Sequence, residues 1–257
     1  MEAYTTRFFE QVHAQVRDSA REIVPLVVDL LNPTRVVDVG CGTGTWLATF
    51  AEHGAVILGL DGEYVDRSLL DIPEDRFVAV DLAQPFQLDG RYDLALCLEV
   101  AEHLPAERAA SLVDLLTGLA PTVLFSAAIP LQGGVNHVNE QWPEYWAAHF
   151  QRRGFVPIDC FRRKVWQNQK VAWFYAQNIL LFAEETYAAR HPRLARELAS
   201  TNASQLSLVH PSCFVMRVWE EHDLANRPLR QILAALPALS KKAVRRRLSR
   251  ESGRTPA

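Results

Sequence analysis

The sequence predicts an α/β fold on a mostly parallel sheet with an antiparallel terminal edge strand, preceded by N-terminal helices and followed by a helical C-terminal extension. Three observations predict it. Short apolar, β-branched runs recur at 35–40 (RVVDVG), 55–61 (AVILGLD), 76–81 (RFVAVD), 92–99 (YDLALCLE) and 121–130 (PTVLFSAAIP). Helical periodicity appears between them at Thr45–His53 and Pro105–Leu119, and such alternation builds parallel sheets covered on both faces. The first run also ends in a glycine-rich turn that leads straight into a helix.

Taken in order, residues 5–31 repeat apolar positions at helical spacing, which predicts one or two helices, and Asn32-Pro33 stops the pattern. The five runs above then alternate with helices. A polar loop, QGGVNHVNEQ (132–141), precedes WPEYWAAHFQRRG (142–154), a helix closed by Gly154. FVPIDCFR and KVAWFYAQNILLFAEE predict a terminal pair of antiparallel strands joined by Arg163–Lys170. Residues 187–240 read as helical, with loops around Asn202–Ser204 and His210–Cys213. The expected organisation is a helical cap over 1–34, a core over 35–186, and a helical extension with a basic tail over 187–257.

Composition narrows the function classes. With 49% hydrophobic and 22% charged residues, the chain has the make-up of an ordinary globular protein. Cys41, Cys97, Cys160 and Cys213 are scattered, without zinc spacing, and are expected as reduced thiols in a cytoplasmic protein. The first residues lack an apolar signal core, and the run at 171–183 is too short for a bilayer, so no membrane partner is expected. The formal net charge is −3, yet Lys241, Lys242, Arg245, Arg246, Arg247, Arg250 and Arg254 crowd the tail against Glu251 alone. That tail reads first as a solvated helix end and second as a contact for RNA phosphates, because no interleaved aromatic–basic module accompanies it. Oligomeric state is left open.

In VVDVGCGTG (36–44), glycines at 40, 42 and 44 let the backbone approach a ligand without Cβ clashes. A dinucleotide loop would place its third glycine at position 45, which is Thr here. The spacing, with Asp38 before it, resembles the first motif of class I S-adenosylmethionine (SAM)-dependent methyltransferases and implies their Rossmann-like fold. The resemblance implies that Asp38, Gly40, Cys41, Gly42 and Gly44 shape a SAM site. Asp61, ending the second strand, would hold the ribose hydroxyls, and Asp81 and Leu82, ending the third, would address adenine. Glu99, at the end of the fourth strand, would lie beside the donor.

The segment CLEVAEHL places Glu99, Glu102 and His103 within five positions at a strand's carboxyl end, where ligands bind in open α/β sheets. With His137 from the next loop, two carboxylates and two imidazoles form a set suited to Mg²⁺, Mn²⁺, Fe²⁺ or Zn²⁺. The E-x-x-E-H pattern followed by a later histidine resembles the metal site of small-RNA 2′-O-methyltransferases, and a related segment occurs in ubiquinone-biosynthesis O-methyltransferases. That resemblance implies Glu99, Glu102, His103 and His137 as ligands. Asn136, Asn139 and Gln141 around the histidine depart from the pattern. Two other readings stand beside it: His103 or His137 as a metal-free general base, or a structural role capping the next helix.

Segments such as NHVNEQWPEYW and LVHPSCF are also similar to those of bacterial polysaccharide and natural-product methyltransferases. The expected function is SAM-dependent O-methylation of a hydroxyl on a sugar or small natural product, assisted by a divalent ion. The alternatives are 2′-O-methylation of an RNA 3′ end, a metal-independent methyltransferase, and a non-catalytic binding protein of the same fold. Trp142, Tyr145, Trp146 and the Trp166–Gln169 connection are candidates for the acceptor side, while His13 and His149 read as packing or surface residues.

Overall fold

The computed structural model describes residues 6–222 together with 233, 234, 236, 237, 240 and 241. The chain divides into a unit of Met1–Cys213 and a second of Phe214–Ala257. Apart from Lys241, the basic tail lies outside the described residues. Among the described residues no helix is long and apolar enough to cross a membrane.

Seven strands form one sheet: β1 Arg35–Val39, β2 Val56–Asp61, β3 Phe77–Ala79, β4 Leu94–Leu98, β5 Thr122–Ser126, β6 Phe155–Ile158 and β7 Leu180–Glu184. Their order is β3-β2-β1-β4-β5-β7-β6. The first five pair in parallel, and β7 runs antiparallel to both β5 and β6. The last strand in sequence is thus the antiparallel one, and it slots between β5 and β6 rather than lying outermost. All five residues of β4 and of β5 are buried, as strands covered on both faces require. Alternation sorts the side chains between two cores: Val36, Leu94, Leu96, Leu124 and Leu181 face one, and Val37, Ala95, Cys97, Val123 and Phe125 the other. The first core also takes Ile23, Val24 and Val27 of helix α1 (Thr6–Leu31) and Trp46, Leu47 and Phe50 of α2 (Thr45–Glu52). The second takes α3 (Ala109–Leu119) and α4 (Pro143–Gln151) through Leu112, Leu116, Trp146 and Phe150.

Several expected elements are adjusted. The N-terminal pattern is a single 26-residue helix that tolerates Pro25. The third and fifth strands are shorter than their apolar runs, because Val80–Leu82 leave the sheet to wall a cavity and Ala127–Pro130 continue outside it. The segment 105–108 is a 3₁₀ turn before α3 begins. The larger correction concerns KVAWFYAQNILLFAEE, whose first half is not strand. After α5 (Arg162–Val165), residues Trp173–Asn178 form α6, and only Leu180–Glu184 enter the sheet. The helical turn buries Gln177 and Asn178 on one side of the chain, where alternation would have put one of them in an apolar core. Beyond the sheet, α7 (Glu185–Arg190) and α8 (Pro192–Ala199) join the first core through Ala188 and Leu194. The expected loop at His210–Cys213 is in fact the start of α9, Pro211–His222.

Candidate active site

Neighbours β2 and β4 flank β1 on opposite sides, so the chain reverses its winding there and opens a crevice at the carboxyl ends of β1 and β4. A cavity of about 980 Å³ occupies it, walled by the glycine loop, the ends of β2, β3 and β4, and the 135–136 backbone. A second cavity of about 280 Å³ shares Gly40 and Gly42 and continues under the loop toward Asp38, Tyr175 and His13. Gly40 has φ +88, and a Cβ there would stand 2.4 Å from Val100, so the loop needs glycine at that point.

Asp61 is buried and anchors this loop. Its carboxylate accepts the N–H of Gly42 at 2.7 Å and that of Gly62 at 2.7 Å. The Tyr64 hydroxyl also donates to it, so a ribose would compete with Tyr64 for that oxygen. Asp38 is buried with Oδ1 lacking a hydrogen-bond partner among the described residues. Burial, reinforced by Asp61, pushes its pKa up to about 7. An ammonium group would be a fitting partner for that oxygen, since a buried acceptor without a donor is costly. Asp81 is exposed and caps its own turn through Ala83 N–H, while Leu82 is buried on the cavity wall. Gly44 and Cys41 serve the loop's packing: Gly44 abuts Ile72, and the Cys41 thiol lies against Gly59.

Five residues on this side of the site were given no site role by the sequence. His13 lines the smaller cavity and contacts Asp71 at 3.0 Å, where Arg17 at 2.9 Å and Thr45 at 2.6 Å also converge. The cluster fastens α1 to the glycine loop. Arg108, also buried, donates to the carbonyls of Leu82 and Gln84 and so fixes the turn after β3. None of these carried a distinguishing sequence signal, because their partners lie far away along the chain.

At the other side, Glu99 leaves β4 with φ +55, a left-handed conformation that costs a non-glycine residue about 1–3 kcal/mol. Its N–H is held by the Ser126 carbonyl at 2.9 Å. Its carboxylate accepts from Asn178 Nδ2 at 3.0 Å and Gln132 Nε2 at 3.1 Å. Gln177 Nε2 braces Gln132 at 2.9 Å. These three amides are buried, and the signal for two of them was the interruption of an apolar run by Gln177 and Asn178. Removal from water raises the Glu99 pKa to about 7 against the pull of those amides.

Glu102 sits in a 3₁₀ turn, Ala101–His103, and is completely buried. Neither of its carboxylate oxygens has a hydrogen-bond partner among the described residues. Burial, with Glu99 nearby, raises its pKa well above the usual range. Donor atoms of Glu102, His103 and His137 lie within 4.8 Å of one another. The His103 and His137 rings meet edge to face, with centroids 4.8 Å apart. His103 is exposed at one edge, yet partial desolvation and then His137 lower its pKa. His137 Nδ1 lies 2.9 Å from Glu140 Oε1, which fixes the orientation of the ring. The other side of that ring is so close to Gly134 that a Cβ there would stand 2.3 Å from Nε2.

The structure therefore brings three of the four expected ligands together, and gives the fourth, Glu99, to a carboxamide cradle. An unpartnered buried carboxylate beside two imidazoles fits a divalent cation, which would supply the missing partner. Trp146 belongs to the core against Phe125, and His149 contacts Tyr145 on α4; neither enters the cavity.

Comparison with known proteins identifies relatives and structural neighbours of the chain. A 128-residue stretch is 34% identical to the magnesium-protoporphyrin O-methyltransferase of Synechocystis, covering 46% of this chain and 54% of that protein. Another of 84 residues is 31% identical to a ubiquinone biosynthesis O-methyltransferase of Coxiella burnetii, covering 29% of this chain and 35% of that one. The chain thus matches about half, or a third, of the length of these relatives. Its fold is that of the SAM-bound amino pentose methyltransferase CalS10 from Micromonospora echinaspora, with TM-score 0.52 and 17% identity over 72% of this chain and 99% of that one. A family model described as a methyltransferase domain matches residues 8–173. With more than half its length matched by that model, the chain belongs to the methyltransferase domain family.

Proposed function

We propose that this protein is a SAM-dependent O-methyltransferase that acts on a hydroxyl of a sugar or small natural product and uses a divalent ion held by Glu102, His103 and His137. The observation that carries the reading is the continuity of one cavity, which runs from Gly40, Gly42 and Asp61 to His103. Donor and acceptor would meet within it. In this reading Asp38 faces the donor's amino-acid end, Asp61 the ribose, and Asp81 and Leu82 the adenine. The relatives' names support oxygen as the acceptor atom.

The chemistry assigns each group a task. Transfer breaks the donor's methyl carbon–sulfur bond, whose electron pair stays on sulfur as a neutral thioether. A carbon–oxygen bond forms, and the hydroxyl proton passes to solvent water. A divalent ion, when bound, lowers the pKa of that hydroxyl. Glu102, His103 and His137 supply the cluster that would hold it, and Glu140 fixes the His137 ring through Nδ1. Glu99, seated by Asn178 and Gln132, keeps a carboxylate facing the cavity between the two halves. Holding the reactants in attack geometry removes much of the entropic barrier.

Titration calorimetry with SAM tests donor binding, and absence of heat under several conditions would leave a binding protein of the same fold. Methyl-labelled SAM offered with candidate acceptors is then assayed after EDTA treatment and after restoring Mg²⁺, Mn²⁺ or Fe²⁺. Loss on chelation with recovery on addition is expected. Full activity in excess EDTA would falsify the metal assignment and leave His103 or His137 as general base.

A further inference from the structure

The second unit, Phe214–Ala257, differs in charge from the first. It holds ten Lys or Arg and four Asp or Glu, a balance of +6, which leaves −9 on the first unit for the total of −3. Seven of the ten cations fall between Lys241 and Arg254. Such asymmetry between two parts of one chain is the pattern of a segment that meets a polyanion.

The same unit turns apolar side chains to solvent. On α9, Phe214 and Trp219 are 62% and 73% exposed, and Val215, four residues before Trp219, is exposed as well. Further on, Leu233 and Leu236 are helical and 56% and 47% exposed. Lys241, also helical and exposed, follows them. Residues three and four apart share one side of a helix. The rest of the basic run lies outside the described residues and enters through its charge alone. Single exposed apolar residues are ordinary. Apolar pairs at helical spacing beside a run of cations are the signature of a helix that lies in a headgroup layer.

Charge and side-chain type choose among the occupants of this surface. A second copy would set +6 against +6, so the unit repels itself. RNA would satisfy the cations and stack on Phe214 or Trp219, but Val215, Leu233 and Leu236 are aliphatic and offer no stacking face. A bilayer with anionic headgroups takes both parts: lipid phosphates meet Lys and Arg, and the acyl boundary receives the apolar side chains. The expectation of no membrane partner rests on the lack of a spanning segment, and attachment at a surface needs no span.

We infer that the second unit attaches this protein to the surface of a membrane carrying anionic lipids. Phe214, Trp219, Leu233 and Leu236 enter the headgroup layer, and the cations from Lys241 to Arg254 hold its phosphates. The attachment is independent of the chemistry proposed for the cavity, and its test reads no methyl transfer.

The full chain is offered phosphatidylcholine vesicles with and without phosphatidylglycerol, and a labelled single-stranded RNA, each at low and high salt. Cosedimentation reads the vesicles and fluorescence anisotropy the RNA. Vesicles with phosphatidylglycerol are expected to bind at least about a hundredfold tighter than those without, since each basic side chain near an anionic surface contributes about fivefold. High salt should weaken this binding without abolishing it, because the apolar part is not screened. Arg245→Glu, Arg246→Glu and Arg247→Glu combined should weaken it about a hundredfold or more. Trp219→Ser should weaken it about tenfold, and Trp219→Phe should regain most of the loss. Circular dichroism identical to wild type shows that the variants fold. Equal binding to the two vesicles, or none to either, overturns the inference. So does tighter binding of the RNA, a Trp219→Ser variant that binds vesicles like wild type, or a dimer in sedimentation equilibrium that Trp219→Ser dissociates.

Discussion

Glu102 and Asp38 are two buried carboxyl groups with oxygens that no described residue satisfies. An unsatisfied buried polar group costs about 1–3 kcal/mol. Glu102→Gln keeps the shape and removes the charge, so it should leave the metal-free protein as stable as wild type or more so. Wild-type melting temperature should rise with added Mn²⁺, and the variant's should not; a matching rise in both would remove Glu102 from the ligand set. Asp38 makes a pH prediction. Its folded pKa, pushed up to about 7 by burial and by Asp61, lies above the ordinary value of 3.8. From about pH 4 to pH 7 the unfolded chain has lost this proton and the folded chain keeps it. Folding stability from this group is therefore full in acid and declines as pH rises to about 7, by at most ~1.4 kcal/mol per unit. Asp38→Asn should remove that slope. Denaturant midpoints of the two proteins should diverge along this pH range, and parallel curves would refute the assignment.

At the level of elements, α1 is coupled to the glycine loop through Asp71, which gathers His13, Arg17 and Thr45. Both ion pairs are partly open to water, so their electrostatic worth is modest, but the hydrogen bonds fix where the helix lies over the smaller cavity. Asp71→Ala should weaken SAM binding about tenfold, a loss of one charge-assisted hydrogen bond's order, with little change in melting temperature; calorimetry reads the first and thermal unfolding the second. An unchanged affinity would mean that α1 only covers the core. Such clusters mark what the sequence conceals. The glycine loop, the strand-end aspartates and the CLEVAEHL turn are local patterns, and their placement at one sheet edge was legible from spacing alone. The Asp71 cluster and the Gln132–Gln177–Asn178 cradle join residues whose nearness exists only after folding. Residues 173–178 misled because bulky aromatic residues suit a strand and a buried helix equally well, and tertiary contacts decided.

Across the molecule, charge is distributed by task. The chain carries a formal net charge of −3, and the carboxylates Asp61, Glu63, Asp81 and Glu99 face the large cavity. A cleft lined with one sign of charge focuses its field. Raising salt should therefore weaken binding of cationic SAM more than that of S-adenosylhomocysteine, whose sulfur is neutral. Equal salt slopes for the two ligands, measured by calorimetry at low and high ionic strength, would argue that the wall's charge is silent.

The position of β7 has a consequence for how the site comes into being. Until residues 180–183 pair with Thr122–Phe125, the outer side of β5 is a bare sheet edge, open to pairing with any other strand. Gln177 and Asn178 arrive on the turn just before β7, so the groups that seat Glu99 come into place with the strand that closes this gap. The glycine-loop side of the cavity can assemble from neighbouring segments, but the seating of Glu99 is completed by one of the last pairings in the chain's order. A partly folded molecule would thus hold a recognisable donor loop while lacking a seated Glu99, so that sheet completion acts as a checkpoint on competence.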